Sequence, residues 1–222
     1  DLAEKIDKLS DEHYDTMLAN SYEWIARQTT EFRAENVLHR FKELTKKWVQ
    51  KLFDRWADVV ILACNTASVH ALRWLQQEVF VGRHILGVMI PWAEKILELW
   101  HRKVWVLATE ATVRIRGYRE RVHITNNTIH IEEIAAPGLV PLIERGIIEG
   151  EDIEALLCVY LLNFSSDIES LVLGCTHYPM AHSTIEKVWK EVHKNKTPII
   201  IDPGLESAKK FREWRKRKGL LL

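Results

Sequence analysis

Two cysteines stand in matching surroundings. Asp58–Thr66 reads DVVILACNT and Glu169–Thr176 reads ESLVLGCT. In each, an apolar run meets a small residue, then Cys64 or Cys175, then a threonine within two positions. The thiolate is the reactive form of cysteine. The free N–H groups and partial positive charge where a strand gives way to a helix lower a thiol's pKa toward neutrality. Such a thiol is a general base when ionised and a general acid when protonated. Two of them facing each other across a cleft can take a proton from one face of a carbon and return one to the other. That is the chemistry of racemisation without a cofactor. Asn65, Thr66 and Thr176, with the backbone N–H groups of the two turns, are suited to hold an anionic amino acid. His177, directly after Cys175-Thr176, is suited to assist proton transfer there. A single cysteine after an apolar strand is more often a small buried hydrophobe than a catalyst; the repeated context points to chemistry. Cys158, in the continuous apolar run LLCVYLL, reads as core.

The elements that would position these thiols follow from hydrophobic patterning. Val59–Ala63, His84–Ile90, Val104–Ala108, Leu171–Leu173 and Pro198–Ile201 are short apolar runs of the kind buried on both faces of a sheet. Val69–Phe80, Ala93–Trp100 and Ile153–Phe164 have helical spacing. Strands alternating with helices imply a parallel sheet covered on both faces, with the chemistry at the carboxyl ends of the strands. The cysteines lie half the chain apart, so the pattern reads as an internal duplication: two similar α/β halves, each offering a thiol at a strand end. In the second half a strand ends near Thr109, well before its cysteine. The equivalent point of the first half falls just before residue 1, so the first half is expected to lack its opening strand. The first glycine is Gly82 and the first proline Pro91, which makes the opening segment poor in the loops that approach a small ligand closely.

Composition sets the bounds. The 222 residues are 47% hydrophobic and 28% charged, those of an ordinary globular protein. Lys plus Arg and Asp plus Glu both number 31, so no net charge argues for nucleic acid or an anionic membrane as partner. Three cysteines without paired spacing fit free thiols in a reducing compartment. The charged opening DLAEKIDKLSDEHYD does not read as a signal peptide, and no run approaches the ~18 apolar residues of a membrane span. A cytoplasmic location is expected. The nine tryptophans fall mostly within helical patterns and read as packing residues. The basic stretch Lys209–Lys218 reads as a solvated helix end, favourable to the helix dipole. No glycine-rich nucleotide loop and no His/Cys cluster of metal-ligand spacing occurs, so neither cofactor nor metal is expected.

ACNTAS at Ala63–Ser68 and LGCTHYP at Leu173–Pro179 resemble the two signature segments of the glutamate racemases. GVMIP at Gly87–Pro91, LATEATV at Leu107–Val113, APGLVPLIERG at Ala136–Gly146 and IDPGLESA at Ile201–Ala208 resemble further segments of that family, in order, from about residue 37 to 210. The histidine after Cys175-Thr176 favours glutamate over aspartate racemases, which usually carry a glutamate there. The resemblance implies two pseudo-symmetric parallel-sheet α/β domains with the site in the cleft between them. The first would be residues 1–91 with a returning helix at 203–222, the second 92–202. It implies that Cys64 acts on D-glutamate and Cys175 on L-glutamate, that Asn65, Thr66 and Thr176 bind substrate, and that His177 assists Cys175. It also implies a role in supplying D-glutamate for peptidoglycan, and leaves room for a homodimer. Departures accompany it. The family's opening strand carries an Asp-Ser-Gly segment that this sequence lacks. A family loop with an Asp and then Pro-Tyr-Gly is replaced between residues 18 and 36 by LANSYEWIARQTTEF, with Asn20 near the expected aspartate. A catalytically silent binding relative, or a piece of a longer enzyme, are the alternatives these departures raise.

Overall fold

The structure is a computed structural model that describes residues 34–114, 116–119, 122, 126–194, 197–217 and 219. Asn20 and the expected loop up to residue 33 lie outside them. In chain order come α1 (Ala34–Phe53), β1 (Val59–Leu62), α2 (Asn65–His70), α3 (Leu72–Trp74) and a π-turn at Leu75–Val79. β2 (His84–Gly87), α4 (Met89–Leu99), β3 (Lys103–Ala108), α5 (Glu110–Arg114), β4 (His130–Ala135) and α6 (Leu139–Glu144) follow. The chain continues with α7 (Glu151–Leu161), β5 (Ser170–Gly174), a 3₁₀ turn (Tyr178–Ala181), α8 (His182–His193), β6 (Ile199–Ile201) and α9 (Pro203–Arg217).

The strands form two parallel sheets, β1-β2 and β4-β3-β5-β6. The cysteine-bearing strands are treated alike: β1 pairs with β2 and β5 with β6, each across a helical crossover. β5 is flanked on its other side by β3; among the described residues β1 has no such neighbour. In the larger sheet the period of two splits β3 between two cores. Trp105 and Leu107 pack with α6, α7 and α8, while Val104, Val106 and Ala108 pack with Met89, Trp92 and Ile96 of α4. In the smaller sheet Val60, Leu62 and Ile85 pack against Val49 and Phe53 of α1, which one helical turn brings to the same face. α9 returns to lie along α4, where Lys210 pairs with Glu94 and Glu98 at 3.0 and 3.6 Å. None of the described helices is long and apolar enough to cross a membrane.

The structure corrects several boundaries. The apolar run His84–Ile90 is strand only to Gly87, and Met89 opens α4. Pro91 sits in the first turn of that helix, where its missing N–H has no intrahelical partner to lose. The helical pattern Val69–Phe80 begins earlier, at Asn65, and passes through α3 into the π-turn. β4 (HIEEIA) carries no continuous apolar run and was not expected. It is an edge strand that pairs with β3 alone and buries Ile131 while its glutamates stay partly exposed.

Packing at the end of β5 leaves no room for a side chain. A Cβ on Gly174 would lie 2.9 Å from both the Ala108 Cβ and the Leu107 carbonyl oxygen, and 3.0 Å from the Tyr118 hydroxyl. Backbone cannot step aside as a flexible side-chain tip can. Gly174→Ala is therefore expected to lower stability by about 1–3 kcal/mol in a thermal or urea melt. An unchanged melt would mean that the β3 backbone yields to the added methyl group.

Candidate active site

Cys64 follows β1 at its carboxyl end and caps α2. Its backbone is extended, and its carbonyl accepts the first helical bond, from the Ser68 N–H at 2.9 Å. Its thiol is exposed. Cys175 follows β5 in the same way but is buried. The turn after it is 3₁₀ rather than α: the Tyr178 N–H reaches the Cys175 carbonyl at 3.2 Å, and α8 begins only at His182. This changes its electrostatics. A thiol pKa lowered by a helix end was expected, yet burial pushes that of Cys175 up. The backbone N–H groups of His177 and Tyr178 oppose the rise, while charge on Cys64 and on Glu144 adds to it. The two thiols are thus near enough to repel as anions.

The other expected residues divide into those tied into networks and one that is not. His177 Nδ1 lies 3.5 Å from Cys175 Sγ, and its Nε2 lies 3.2 Å from Glu144 Oε1. With a proton on Nε2 directed at the carboxylate, Nδ1 presents a lone pair to the thiol. Asn65 is buried, and its Oδ1 accepts the Tyr118 hydroxyl at 2.6 Å. Thr66 Oγ1 closes a triangle with Thr109 and Thr112, at 3.2 and 3.1 Å, with 2.9 Å between the last two. Thr176 is exposed beside Cys175. His70, at the end of α2, reaches the Ala111 carbonyl at 3.1 Å. The helix that starts at Cys64 is therefore bonded along its length to segment 109–118 of the other half.

Four residues at this site escaped the sequence reading: Thr109, Thr112, Tyr118 and Glu144. Three of them lie inside segments already singled out, LATEATV and APGLVPLIERG, so their signal was present without a role attached to it. Tyr118 lies in GYRER, which carried none.

Two parallel sheets, each with a strand that runs into a cysteine, define an α/β protein that carries a thiol at the carboxyl end of a strand in each sheet. The chain belongs to the Asp/Glu/Hydantoin racemase family, whose pattern matches residues 2–209. It is 30% identical over 195 residues to the glutamate racemase of Aquifex aeolicus strain VF5, covering 87% of this chain and 72% of that one. It is 35% identical over 142 residues to the glutamate racemase of Aquifex pyrophilus, covering 64% and 54%. A crystal structure of glutamate racemase from Francisella tularensis subsp. tularensis SCHU S4, in complex with D-glutamate, superposes with a TM-score of 0.74 at 27% identity, covering 83% of this chain and 67% of that one. The chain spans 54% to 72% of the length of the two Aquifex relatives it matches.

Proposed function

We propose that this chain interconverts L- and D-glutamate by proton transfer between Cys64 and Cys175, without a cofactor. The observation that carries the reading is the pair of cysteines at matching strand ends, with His177 Nδ1 3.5 Å from Cys175 Sγ. The Cα proton of an amino acid is a weak acid, so the base that takes it must be stronger than an ordinary solvated thiolate. Burial makes Cys175 such a base once it ionises, and keeps it protonated, ready to act as acid, before that. His177, oriented by Glu144, accepts the proton from Cys175 when that thiol is to act as base. Cys64 serves the D-enantiomer and Cys175 the L-enantiomer. Asn65, Thr66 and Thr176 hold the substrate, with Thr109 and Thr112 fixing Thr66. The two domains on either side are residues 1–91 with 203–222, and residues 92–202. The D-glutamate formed in the cytoplasm supplies peptidoglycan synthesis. The sequence and fold similarity to glutamate racemases supports glutamate as substrate.

One observation favours a second reading, a relative that binds glutamate and does not turn it over. Among the described residues, Cys64 Sγ has no acid–base partner of the kind that His177 and Glu144 give Cys175. Incubation of the purified chain with L-glutamate, followed by circular dichroism, separates the two. Decay of the signal to zero is expected. A constant signal accompanied by calorimetric binding of glutamate would replace the racemase reading with the second.

A further inference from the structure

Tyr118 touches both thiol-bearing turns. It is fully buried, and its ring lies 4.9 Å from the equally buried Trp92 of α4. Its hydroxyl donates to Asn65 Oδ1 at 2.6 Å, and Asn65 is the residue next to Cys64. The same hydroxyl lies 3.0 Å from the place a Cβ would take on Gly174, the residue before Cys175. Burial is the main cause of the phenol's raised pKa, and charge on Cys175, Glu133 and Cys64 adds to it. A phenol so placed stays neutral and keeps its O–H to donate, and Asn65 turns its side-chain carbonyl to it. That fixes the amide's orientation and leaves its NH₂ for other partners.

The tyrosine is itself held from the larger sheet. The Arg119 N–H donates to Glu133 Oε1 of β4 at 2.7 Å, and the Arg119 guanidinium donates to the Ile131 carbonyl at 2.9 Å. On its other side Gly117 presses against Val69 of α2 so closely that a Cβ there would lie 2.4 Å from Val69 Cγ1. A chain of contacts thus runs from β4 through Arg119 and Tyr118 to Asn65, and so to Cys64, passing beside Gly174 and Cys175.

We propose that Tyr118 is a positioning residue: by donating to Asn65 against the turn that carries Cys175, its hydroxyl sets how the two thiols face each other. The inference rests on the two-thiol reading above. A proton transfer that must use both faces of one carbon depends steeply on that geometry, whereas substrate affinity depends on it less. Tyr118→Phe keeps the ring against Trp92 and removes only the donor, leaving the buried Asn65 carbonyl unpaired. The expected result is a fall in kcat of about 10- to 100-fold, larger than the rise in KM that follows from a loosened Asn65. Asn65→Ala breaks the same bond from the other end and retains the tyrosine. Adding Tyr118→Phe to it should cost little more in kcat, since two groups acting through one bond are not additive.

Alkylation by iodoacetamide, read by mass spectrometry at each cysteine, supplies a measure that needs no turnover. The rate at Cys64 should shift by about threefold or more in both single variants, as thiol reactivity follows its local surroundings. Cys158, buried in the other core, should stay unreactive and so report an intact fold. If the unsubstituted chain shows no turnover, the racemase reading fails and the alkylation comparison still decides the role of Tyr118. Unchanged kcat together with unchanged Cys64 alkylation in Tyr118→Phe would overturn the proposal. So would a double variant whose losses simply multiply. Should Tyr118→Phe fail to fold, unchanged Cys64 alkylation in Asn65→Ala would overturn it alone.

Discussion

Cys64→Ala and Cys175→Ala are each expected to reduce racemisation by about 10⁴-fold, the upper end of what a positioned acid or base supplies, because every turnover needs one thiol as base and the other as acid. Neither is spare. The loss must be equal in kcat/KM for both directions, since the enantiomers are equally stable and the equilibrium constant is fixed at unity. The asymmetry appears instead in exchange of the Cα proton with D₂O. With Cys64 gone, Cys175 can still take a proton from its own face and return deuterium to it, so L-glutamate exchanges without inverting. With Cys175 gone, only D-glutamate does so. Equal exchange from both enantiomers in each variant would remove the assignment of faces, and full turnover in one of them would remove the two-thiol mechanism. Cys158→Ala is the control: it is buried among α7 neighbours, should cost about 1–3 kcal/mol of stability, and should leave turnover intact.

The sequence exposed the strands written as unbroken apolar runs and concealed the one that is not; of those runs β3 and β5 are buried on both faces, whereas β1 leaves Ile61 41% exposed. VVIL, VWVLA and LVLG announce themselves because each is apolar without interruption. HIEEIA sits at an edge, where its glutamates reach solvent and the alternation weakens. The two cysteines were legible because the duplication displays them twice. Their electrostatics were not. Cys175 differs from Cys64 through burial and a 3₁₀ turn, and both are properties of the packed chain. Tyr118 was out of reach for a related reason. A tyrosine in a basic segment has no distinguishing neighbour in sequence, and its meaning comes from Asn65 and Gly174, which only folding brings to it. Glu144 likewise becomes a partner of His177 only when α6 is laid beside the turn after β5.

That last pairing makes the remaining prediction. His177→Asn should lower kcat/KM by about 10²–10⁴-fold, the usual value of a positioned proton acceptor, again equally in both directions. The deficit should fall on one face: washout of deuterium from L-glutamate slows, while washout from D-glutamate is largely kept, because His177 lies 3.5 Å from Cys175 and serves that thiol alone. The pH profile should move as well. Burial raises the Cys175 pKa, so without a nearby acceptor the thiol ionises only as the solution itself becomes basic enough. Activity of the variant should therefore recover toward alkaline pH. Glu144→Gln should reproduce the same pattern more weakly. Glu144 is 63% exposed, so its attraction for His177 is screened, and its part is to fix the ring and its tautomer. A His177→Asn variant with undiminished L-face exchange at neutral pH would show that Cys175 ionises without this histidine, and that the N–H groups of the turn are enough to hold its charge.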